Sequence, residues 1–177
     1  MSLVIVDAAP AHTAQIQAIY AHWVLHGLAS FEEVPPDSLE MGRRRQAIQD
    51  LKLPYLVAEE NGAVLGFAYA GPYRPRSAYR FTVEDSVYVA PWTHGKGIGR
   101  KLLAEVIARA ESLGRRQMLG IIGDSGNTAS IGLHEALGFR TIGTFQAIGF
   151  KFGRWVDTVM MQRALGPGDG SLPAAEI

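Results

Sequence analysis

Apolar residues recur along this chain with two distinct spacings, one typical of strands and one typical of helices. Strand-like runs cover residues 3–6, 55–59, 64–70, 81–89, 118–122, 139–150 and 156–162. Apolar residues three and four positions apart predict helices over 10–26, 37–51, 98–113 and 127–137. Asp37 or Ser38 is the expected N-cap of the second helix, and Gly27, Gly114 and Gly138 mark helix ends. The pattern predicts an α/β (α+β) chain.

Turn residues between these elements predict how the strands pair. Asn61-Gly62 is a strong hairpin signal, so the strands on either side of it should be antiparallel. The strand at 81–89, the helix at 98–113 and the apolar strand at 118–122 can form a βαβ unit, with 118–122 covered on both faces. The last two strands should turn back near Gly153. We therefore expect a single domain over residues 1–165 and a mobile C-terminal tail over 166–177.

A glycine-rich segment at 95–99 separates the strand at 81–89 from the next helix. Its backbone N–H groups are unshielded beside a helix N-terminus, where anions are favoured. The spacing departs from the Walker loop, because Lys96 is followed by Gly97. It departs from the dinucleotide fingerprint as well, since Arg100 and Leu102 stand where the last glycine belongs. The segment predicts a phosphate-bearing ligand that need not be ATP or NAD, and a simple glycine-rich turn is the alternative.

Composition excludes several classes of protein. Of the 177 residues, 47% are hydrophobic, and 17 basic residues balance 17 acidic ones, which argues against a nucleic-acid partner. The absence of cysteine excludes a disulfide framework and an acyl-cysteine intermediate. No apolar stretch is long enough to span a bilayer, and the N-terminus does not resemble a signal peptide. We therefore expect a cytoplasmic protein with no membrane partner.

The order of motifs resembles the GNAT family of acetyl-CoA-dependent N-acetyltransferases over about residues 3–165. The family's pyrophosphate motif maps onto His94, Gly97 and Gly99, and it is followed by Asn127. His94 departs from the Gln or Arg that is usual at the first position, and because the loop binds through backbone N–H groups, the departure concerns one side-chain contact. The resemblance implies the GNAT fold, a mixed central sheet of about six to seven strands flanked by about four helices, and acetyl-CoA as the co-substrate, with no metal.

Separate blocks resemble, more closely, the subfamily that acts on phosphinothricin and methionine sulfoximine. These blocks are AGPY at 70–73, TVEDSVYV at 82–89, LHEALGF at 133–139 and GFKFGRW at 149–155, followed by Asp157. Several blocks in the right order are more specific than one glycine loop. The subfamily resemblance implies a small-molecule amine as the acceptor and a homodimer formed through the second half of the chain.

The same resemblance assigns residues to the acetyl donor. Backbone groups of the strand at 87–89 can pair with the amide-bearing pantetheine arm, as an added strand would, and one N–H there can stabilise the oxyanion. Lys96, Arg100 or Lys101 can reach a further phosphate, although solvated surface charges are equally expected there. The expected donor-binding residues are Val87, Tyr88, Val89, His94, Gly95, Lys96, Gly97, Ile98, Gly99 and Asn127.

Two residues are the expected catalytic groups. Glu84 lies near the position of the subfamily's glutamate, and it is our candidate base for the protonated amine, directly or through water. Asp85 should point to the opposite face of the strand and is not expected to share that role. His134 stands where many GNAT enzymes have a tyrosine that protonates the thiolate. The sequence leaves open whether His134 is an acid, a base or a packed helix residue.

Residues for the acceptor are the least specific part of the prediction. Arg74 and Arg76 follow the turn at 71–72, and they suit a carboxylate or phosphinate. Phe31 occupies the place of an aromatic substrate wall in the subfamily, although core packing is its commoner role. His22 and His26 are spaced like metal ligands, but no third ligand is evident, so we expect no metal.

The leading functional hypothesis is a detoxifying N-acetyltransferase that acts on glutamate-like or methionine-like amino-acid analogues. Without cysteine, direct transfer in a ternary complex is favoured over an acyl-cysteine enzyme, while an acyl-serine or acyl-lysine intermediate stays open. A protein N-terminal or other small-amine acetyltransferase is the alternative within the same chemistry. A non-catalytic acetyl-CoA-binding module is the alternative from a different class.

Overall fold

A computed structural model describes residues 2–93 and 95–173 of the protein. In this part of the chain, one seven-stranded sheet has the order β1-β2-β3-β4-β5-β7-β6. The strands are β1 (Val4–Asp7), β2 (Tyr55–Glu60), β3 (Ala63–Pro72), β4 (Thr82–Val89), β5 (Gln117–Gly123), β6 (Arg140–Lys151) and β7 (Arg154–Ala164). The helices are α1 (Thr13–His26), α2 (Ser38–Asp50), α3 (Ile98–Ser112) and α4 (Thr128–Ala136). The predicted GNAT-type fold, a mixed sheet of about six to seven strands with about four helices, is confirmed.

The predicted turns and caps explain most of the element boundaries. Asn61 and Gly62 have φ angles of 53° and 79°, as a tight hairpin requires, and β2 pairs antiparallel with β3. The Asp37 carboxylate accepts a hydrogen bond from the Glu40 backbone N–H at 2.7 Å and so caps α2. β6 and β7 are antiparallel, and the chain turns between them at 152–153.

Two terminal segments show features that the sequence does not reveal. The first helix does not start at Pro10, because Pro10–His12 forms a 3-10 turn and α1 begins only at Thr13. In the segment predicted as a tail, the Arg116 guanidinium donates hydrogen bonds to the Gly168 and Leu172 carbonyls. Residues 168–172 are therefore held against the domain by side-chain contacts that composition does not reveal. Residues 174–177 lie outside the described part.

The sheet separates two apolar clusters, one on each face. Alternate residues of β2 divide between them, because successive side chains of a strand point to opposite faces. Leu56 packs in the cluster with α3, whereas Tyr55 and Val57 pack in the cluster with α1. The helices thus cover both faces, and the buried strands in the middle of the sheet form a rigid frame.

The strand, helix and strand unit predicted around the glycine loop is present, with β4 and β5 parallel. Their ladder is short, because it runs only from the pair Thr82 and Gln117 to the pair Asp85 and Gly120. Both strands continue beyond this point, β4 to Val89 and β5 to Gly123, but they no longer pair. The separation of two central strands leaves a cleft in the middle of the sheet.

The connection between α1 and α2 is fixed to the far end of the sheet by a buried lysine. The Lys151 ammonium donates hydrogen bonds to the Gly27 carbonyl at 2.9 Å and to the Ser30 carbonyl at 2.6 Å. Lys151 is only 2% exposed, and burial lowers its pKa. This contact joins residues more than 120 positions apart in the chain and sets where residues 27–32 lie.

We expect Lys151→Met to destabilise the protein by about 1 to 3 kcal/mol, because two carbonyls would lose their donor in a buried place. It should also lower acetylation activity, since Ser30 and Phe31 lie at the cleft. Urea unfolding and initial rates measure the two effects. Arg140→Met on the same strand is the control, because Arg140 is exposed. Equal stability of the two variants would contradict the assigned role of Lys151.

Candidate active site

A group of ionisable and polar side chains lies in the cleft between β4 and β5. Its volume is about 440 Å³. The walls come from both strands, from α4 and from residues 29–32 after α1. They are formed by Tyr20, Ala29, Ser30, Phe31, Glu32, Glu84, Asp85, Ser86, Val87, Tyr88, Ile121, Ile122, Gly123, Asn127, Ser130, His134 and Thr158. The cleft therefore brings together the predicted catalytic residues and part of the predicted donor-binding strand.

Glu84 lies near the start of β4, opposite Gly71 of β3. Burial raises the pKa of Glu84 to about 7, and the negative charge of Asp85 adds to this rise. A carboxylate with this pKa is half ionised at neutral pH, so it can both accept and release a proton under working conditions. The structure thus places a group with the properties of a general base inside the cleft.

Asp85 points to the opposite face of β4, as strand alternation predicts. There its Oδ1 lies 3.1 Å from His134 Nε2, and both side chains are almost fully buried. The second ring nitrogen of His134, Nδ1, lies 2.7 Å from the Ser130 carbonyl oxygen. His134 is therefore both a cleft residue and a member of a buried hydrogen-bonded chain, an arrangement that the sequence interpretation missed. The sequence does contain a signal for this pair. Asp85 lies between Val83 and Val87 at alternate positions of β4, so a carboxylate stands on the inward face of the strand, where the neighbouring residues are apolar.

A second network shapes the end of the cleft that lies next to α1. The Tyr20 hydroxyl lies 2.9 Å from Ser30 Oγ and donates to Glu32 Oε1 at 3.0 Å. Arg44 from α2 binds the same Glu32 oxygen at 2.6 Å. These contacts hold the Glu32 carboxylate at the cleft. Tyr20 and Glu32 were not predicted, because no local pattern shows that residues from three separate segments meet.

The predicted aromatic wall residue, Phe31, does line the cleft. Its ring approaches the backbone of β6 so closely that a Cβ on Gly149 would lie 2.3 Å from Phe31 Cε2. A side chain at position 149 would therefore displace the ring. With 41% of its surface exposed, Phe31 is not a core residue, and its ring is available to a ligand.

The predicted donor-binding residues occupy two places. Val87, Tyr88 and Asn127 line the cleft, and the Asn127 side chain also caps α4 by accepting a hydrogen bond from the Ser130 N–H at 3.1 Å. The Val89 carbonyl accepts a hydrogen bond from Trp23 Nε1 at 2.8 Å. Where β4 no longer pairs with β5, its edge is open for hydrogen bonds to an extended ligand.

The glycine loop lies beyond the residues that form the cleft walls, at the N-terminus of α3. Gly95 and Gly97 have φ angles of 79° and 69°, and no side chain caps the helix. Its first N–H groups are therefore available to an anion. Lys96 and Arg100 are exposed beside it, as is Lys101. His94 lies outside the described residues.

Arg74 and Arg76 are not brought together with Glu84. Both are exposed, and they line a separate cavity of about 530 Å³ that also contains Arg80 and Arg115. The loop after β3 places them in this second cavity, and no local pattern indicates the direction of that loop. Their assignment to the acceptor stays a prediction without support from the geometry of one chain.

The two histidines of α1 lie one helical turn apart. The rings of His22 and His26 are 5.0 Å apart, and no group of three potential ligands was found in residues 2–93 and 95–173. No helix in these two ranges is both long enough and apolar enough to cross a bilayer.

Comparisons with known proteins identify the family. The acetyltransferase (GNAT) family model matches residues 16–139. A phosphinothricin N-acetyltransferase of Alcaligenes faecalis is 61% identical over 158 residues, which cover 89% of this chain and 80% of that protein. An L-methionine sulfoximine/L-methionine sulfone acetyltransferase of Salmonella typhimurium is 44% identical over 155 residues, which cover 88% of this chain and 90% of that protein.

The fold agrees with these relatives. The crystal structure of a phosphinothricin acetyltransferase from Sinorhizobium meliloti in complex with acetyl-CoA superposes with a TM-score of 0.96 at 47% identity. The match covers 100% of this chain and 96% of that one. The predicted fold, N-acetyltransferase activity and use of acetyl-CoA as the acetyl donor are confirmed. The chain belongs to the GNAT family of acetyltransferases.

Proposed function

We propose that the protein transfers an acetyl group to the primary amine of a small amino-acid analogue of the phosphinothricin or methionine sulfoximine type, directly in a ternary complex. The observation that carries the proposal is Glu84, a carboxylate with a pKa of about 7 inside a cleft of about 440 Å³. A cleft of this size suits a small acceptor. The names of the relatives supply the class of substrate.

The acidic side chains of the cleft suit an amine. Glu32 and Glu84 both line it; Arg44 offsets the charge of Glu32, and the ionised form of Glu84 attracts a protonated amine. Because an ammonium group has no free electron pair, it must lose a proton before it can attack a carbonyl carbon. Glu84 accepts this proton, directly or through water.

The donor side of the proposal rests on backbone groups. When bound, acetyl-CoA supplies a thioester, whose carbonyl carbon is open to attack by the amine. The unpaired edge of β4 at Val87 and Tyr88 would bind the pantetheine amides, with Asn127 as a further contact. The uncapped N-terminus of α3 would bind the phosphates. Both substrates then lie in one cleft, and transfer needs no acyl-enzyme; the chain has no cysteine to form one.

A thiol-release assay tests the function. Phosphinothricin, methionine sulfoximine and methionine sulfone are compared as acceptors with a polyamine and a peptide, each at the same concentration. Release of coenzyme A with the amino-acid analogues alone supports the proposal. Acetylation of the peptide alone would replace it with a protein N-terminal acetyltransferase. Tight acetyl-CoA binding without thiol release from any amine would replace it with a binding module.

We further propose that the protein is a cytoplasmic homodimer. Support comes from β6, an edge strand, and from the start of β7, because both expose large apolar side chains to solvent. These side chains belong to Ile142, Phe145, Ile148, Phe150, Phe152 and Trp155. A second copy of the chain would bury this surface, in agreement with the subfamily resemblance.

Glu84→Gln should lower kcat by about 10²-fold to 10⁴-fold while the affinity for acetyl-CoA changes by only a few-fold, because only proton transfer is lost. In the unmodified enzyme, kcat/KM should fall as the pH drops below about 7, since protonated Glu84 cannot accept a proton. Initial rates between pH 5.5 and 9 and a binding titration measure these effects.

Glu33→Gln is the matched control, because Glu33 is an exposed carboxylate on the same loop as Glu32 and does not line the cleft. Its kcat and pH profile should match those of the unmodified enzyme. Full activity of Glu84→Gln on the best acceptor would remove Glu84 as the base.

Trp155→Arg should convert the proposed dimer to a monomer, because a charge would be buried in an apolar interface. Light scattering after size-exclusion chromatography measures the mass. Leu39→Arg is the control, since Leu39 is a similarly exposed apolar residue on α2. A monomeric unmodified protein, or a dimer that persists in Trp155→Arg, would count against this interface.

A further inference from the structure

The ring of Phe31 rests on the backbone of two strands. A Cβ placed on Gly149 of β6 would lie 2.3 Å from Phe31 Cε2 and 2.8 Å from Phe31 Cζ. A Cβ placed on Gly123 of β5 would lie 3.1 Å from Phe31 Cε1. The ring therefore occupies space that both glycines leave free, and at position 149 any side chain would overlap with it.

The backbone on both sides of Phe31 is held in place. Directly before it, the Ser30 carbonyl accepts a hydrogen bond from the Lys151 ammonium at 2.6 Å. Directly after it, the Glu32 carboxylate accepts a hydrogen bond from the Tyr20 hydroxyl at 3.0 Å. A change at the contact with β6 is therefore taken up by the ring of Phe31 and not by a movement of the whole loop.

An irregularity of β6 brings Gly149 to this place. Between Phe145 and Gly149, three residues of β6 stand opposite the single residue Asp157 of β7. Asp157 Oδ1 accepts a hydrogen bond from the Ala147 N–H at 2.8 Å and so holds the irregular segment. Gly149 itself does not have a positive φ, so its backbone is compatible with alanine. What excludes a side chain at this position is the neighbouring ring.

We propose that Gly149 is a specificity-determining position for acetyl transfer. By leaving the Phe31 ring against β6, it sets the largest acceptor side chain that the cleft admits. This assignment rests on the acetyl transfer proposed above, because it takes Phe31 as a wall of the acceptor site. Gly149 does not line the cleft, so it is a positioning residue that acts through the ring.

The displacement caused by a side chain at position 149 is large enough to affect an acceptor. Carbon atoms in contact lie about 3.5 to 4.0 Å apart, so an added Cβ would move the ring by about 1 Å or more. β6 lies on one side of the ring, and the free space is in the cleft, which the ring lines with 41% of the Phe31 surface exposed. One methylene group in a pocket changes relative rates by about 10-fold to 200-fold.

Sulfoximine amino acids of increasing alkyl length test the proposal. Methionine, ethionine and buthionine sulfoximine differ only in the methyl, ethyl or butyl group on sulfur. In Gly149→Ala, kcat/KM should fall by about 3-fold or less with the methyl compound and by about 10-fold or more with the ethyl compound. Phe31→Ala should act in the opposite direction and raise the relative rate with the butyl compound. KM for acetyl-CoA should change by less than about 2-fold in both variants, because acceptor size alone is altered.

Gly143→Ala on the same strand is the matched control. A Cβ there would lie 3.5 Å from Met160 Cε, which is an ordinary contact, so its rates with all three compounds should match those of the unmodified enzyme. The double variant Phe31→Ala/Gly149→Ala separates positioning from a general structural role. If Gly149 acts through the ring, Gly149→Ala should change nothing further once the ring is absent. An equal loss with and without the ring would overturn the proposal.

Carbon-13 NMR of labelled phenylalanine rings follows Phe31 without any turnover. Its signals, identified by their absence from Phe31→Leu, should shift in Gly149→Ala and keep their positions in Gly143→Ala. Unshifted Phe31 signals in Gly149→Ala would contradict the proposed displacement. Circular dichroism and thermal unfolding confirm that each variant is folded before its result is used.

The outcomes separate this proposal from the proposed function. If the unmodified enzyme acetylates the analogues but Gly149→Ala lowers all three rates by the same factor, or none of them, only the role of Gly149 fails. If the unmodified enzyme acetylates no amine, the proposed function fails, and the role of Gly149 fails with it, even where the ring signals shift.

Discussion

The separation of β4 from β5 after the pair Asp85 and Gly120 is the constraint on which the rest of the site depends. Two parallel strands that stop pairing in the middle of a sheet leave backbone N–H and carbonyl groups without sheet partners, and these groups need hydrogen bonds from elsewhere. The gap provides both the cleft and an open strand edge for an extended ligand. The frame can tolerate this gap because apolar clusters pack on both faces of the sheet and hold each strand in place.

Strand alternation then gives two adjacent carboxylates different properties. Glu84 and Asp85 follow one another on β4 and point to opposite faces. Glu84 has no ion-pair partner among the described residues, so burial and the neighbouring charge raise its pKa to about 7. Asp85 instead meets His134 in a buried pair. The same strand thus carries one carboxylate without an ion-pair partner among the described residues and one that is held in a buried pair with His134.

Local patterns predicted most of the fold because the relevant interactions are local. The hairpin at Asn61-Gly62 depends on two backbone conformations, and the cap at Asp37 depends on one hydrogen bond three residues away. The same patterns say nothing about contacts between distant residues. Arg116 binds the Gly168 carbonyl in the segment predicted as a tail, and Arg74 lines a different cavity from Glu84. Tyr20 and Glu32 were not assigned to the site, since they meet only after three segments pack.

The sequence by itself determined the order of elements and the family. It also determined that a glycine-rich loop precedes a helix and that Glu84 and His134 stand in recognisable motifs. Those features depend on residue type and spacing along the chain, which can be read without coordinates. Only the tertiary structure decided that Asp85 and His134, 49 positions apart, form one buried pair, and that Lys151 fixes the loop beside the cleft. Such contacts join residues from different elements, and no short-range pattern encodes the position and direction in which those elements meet.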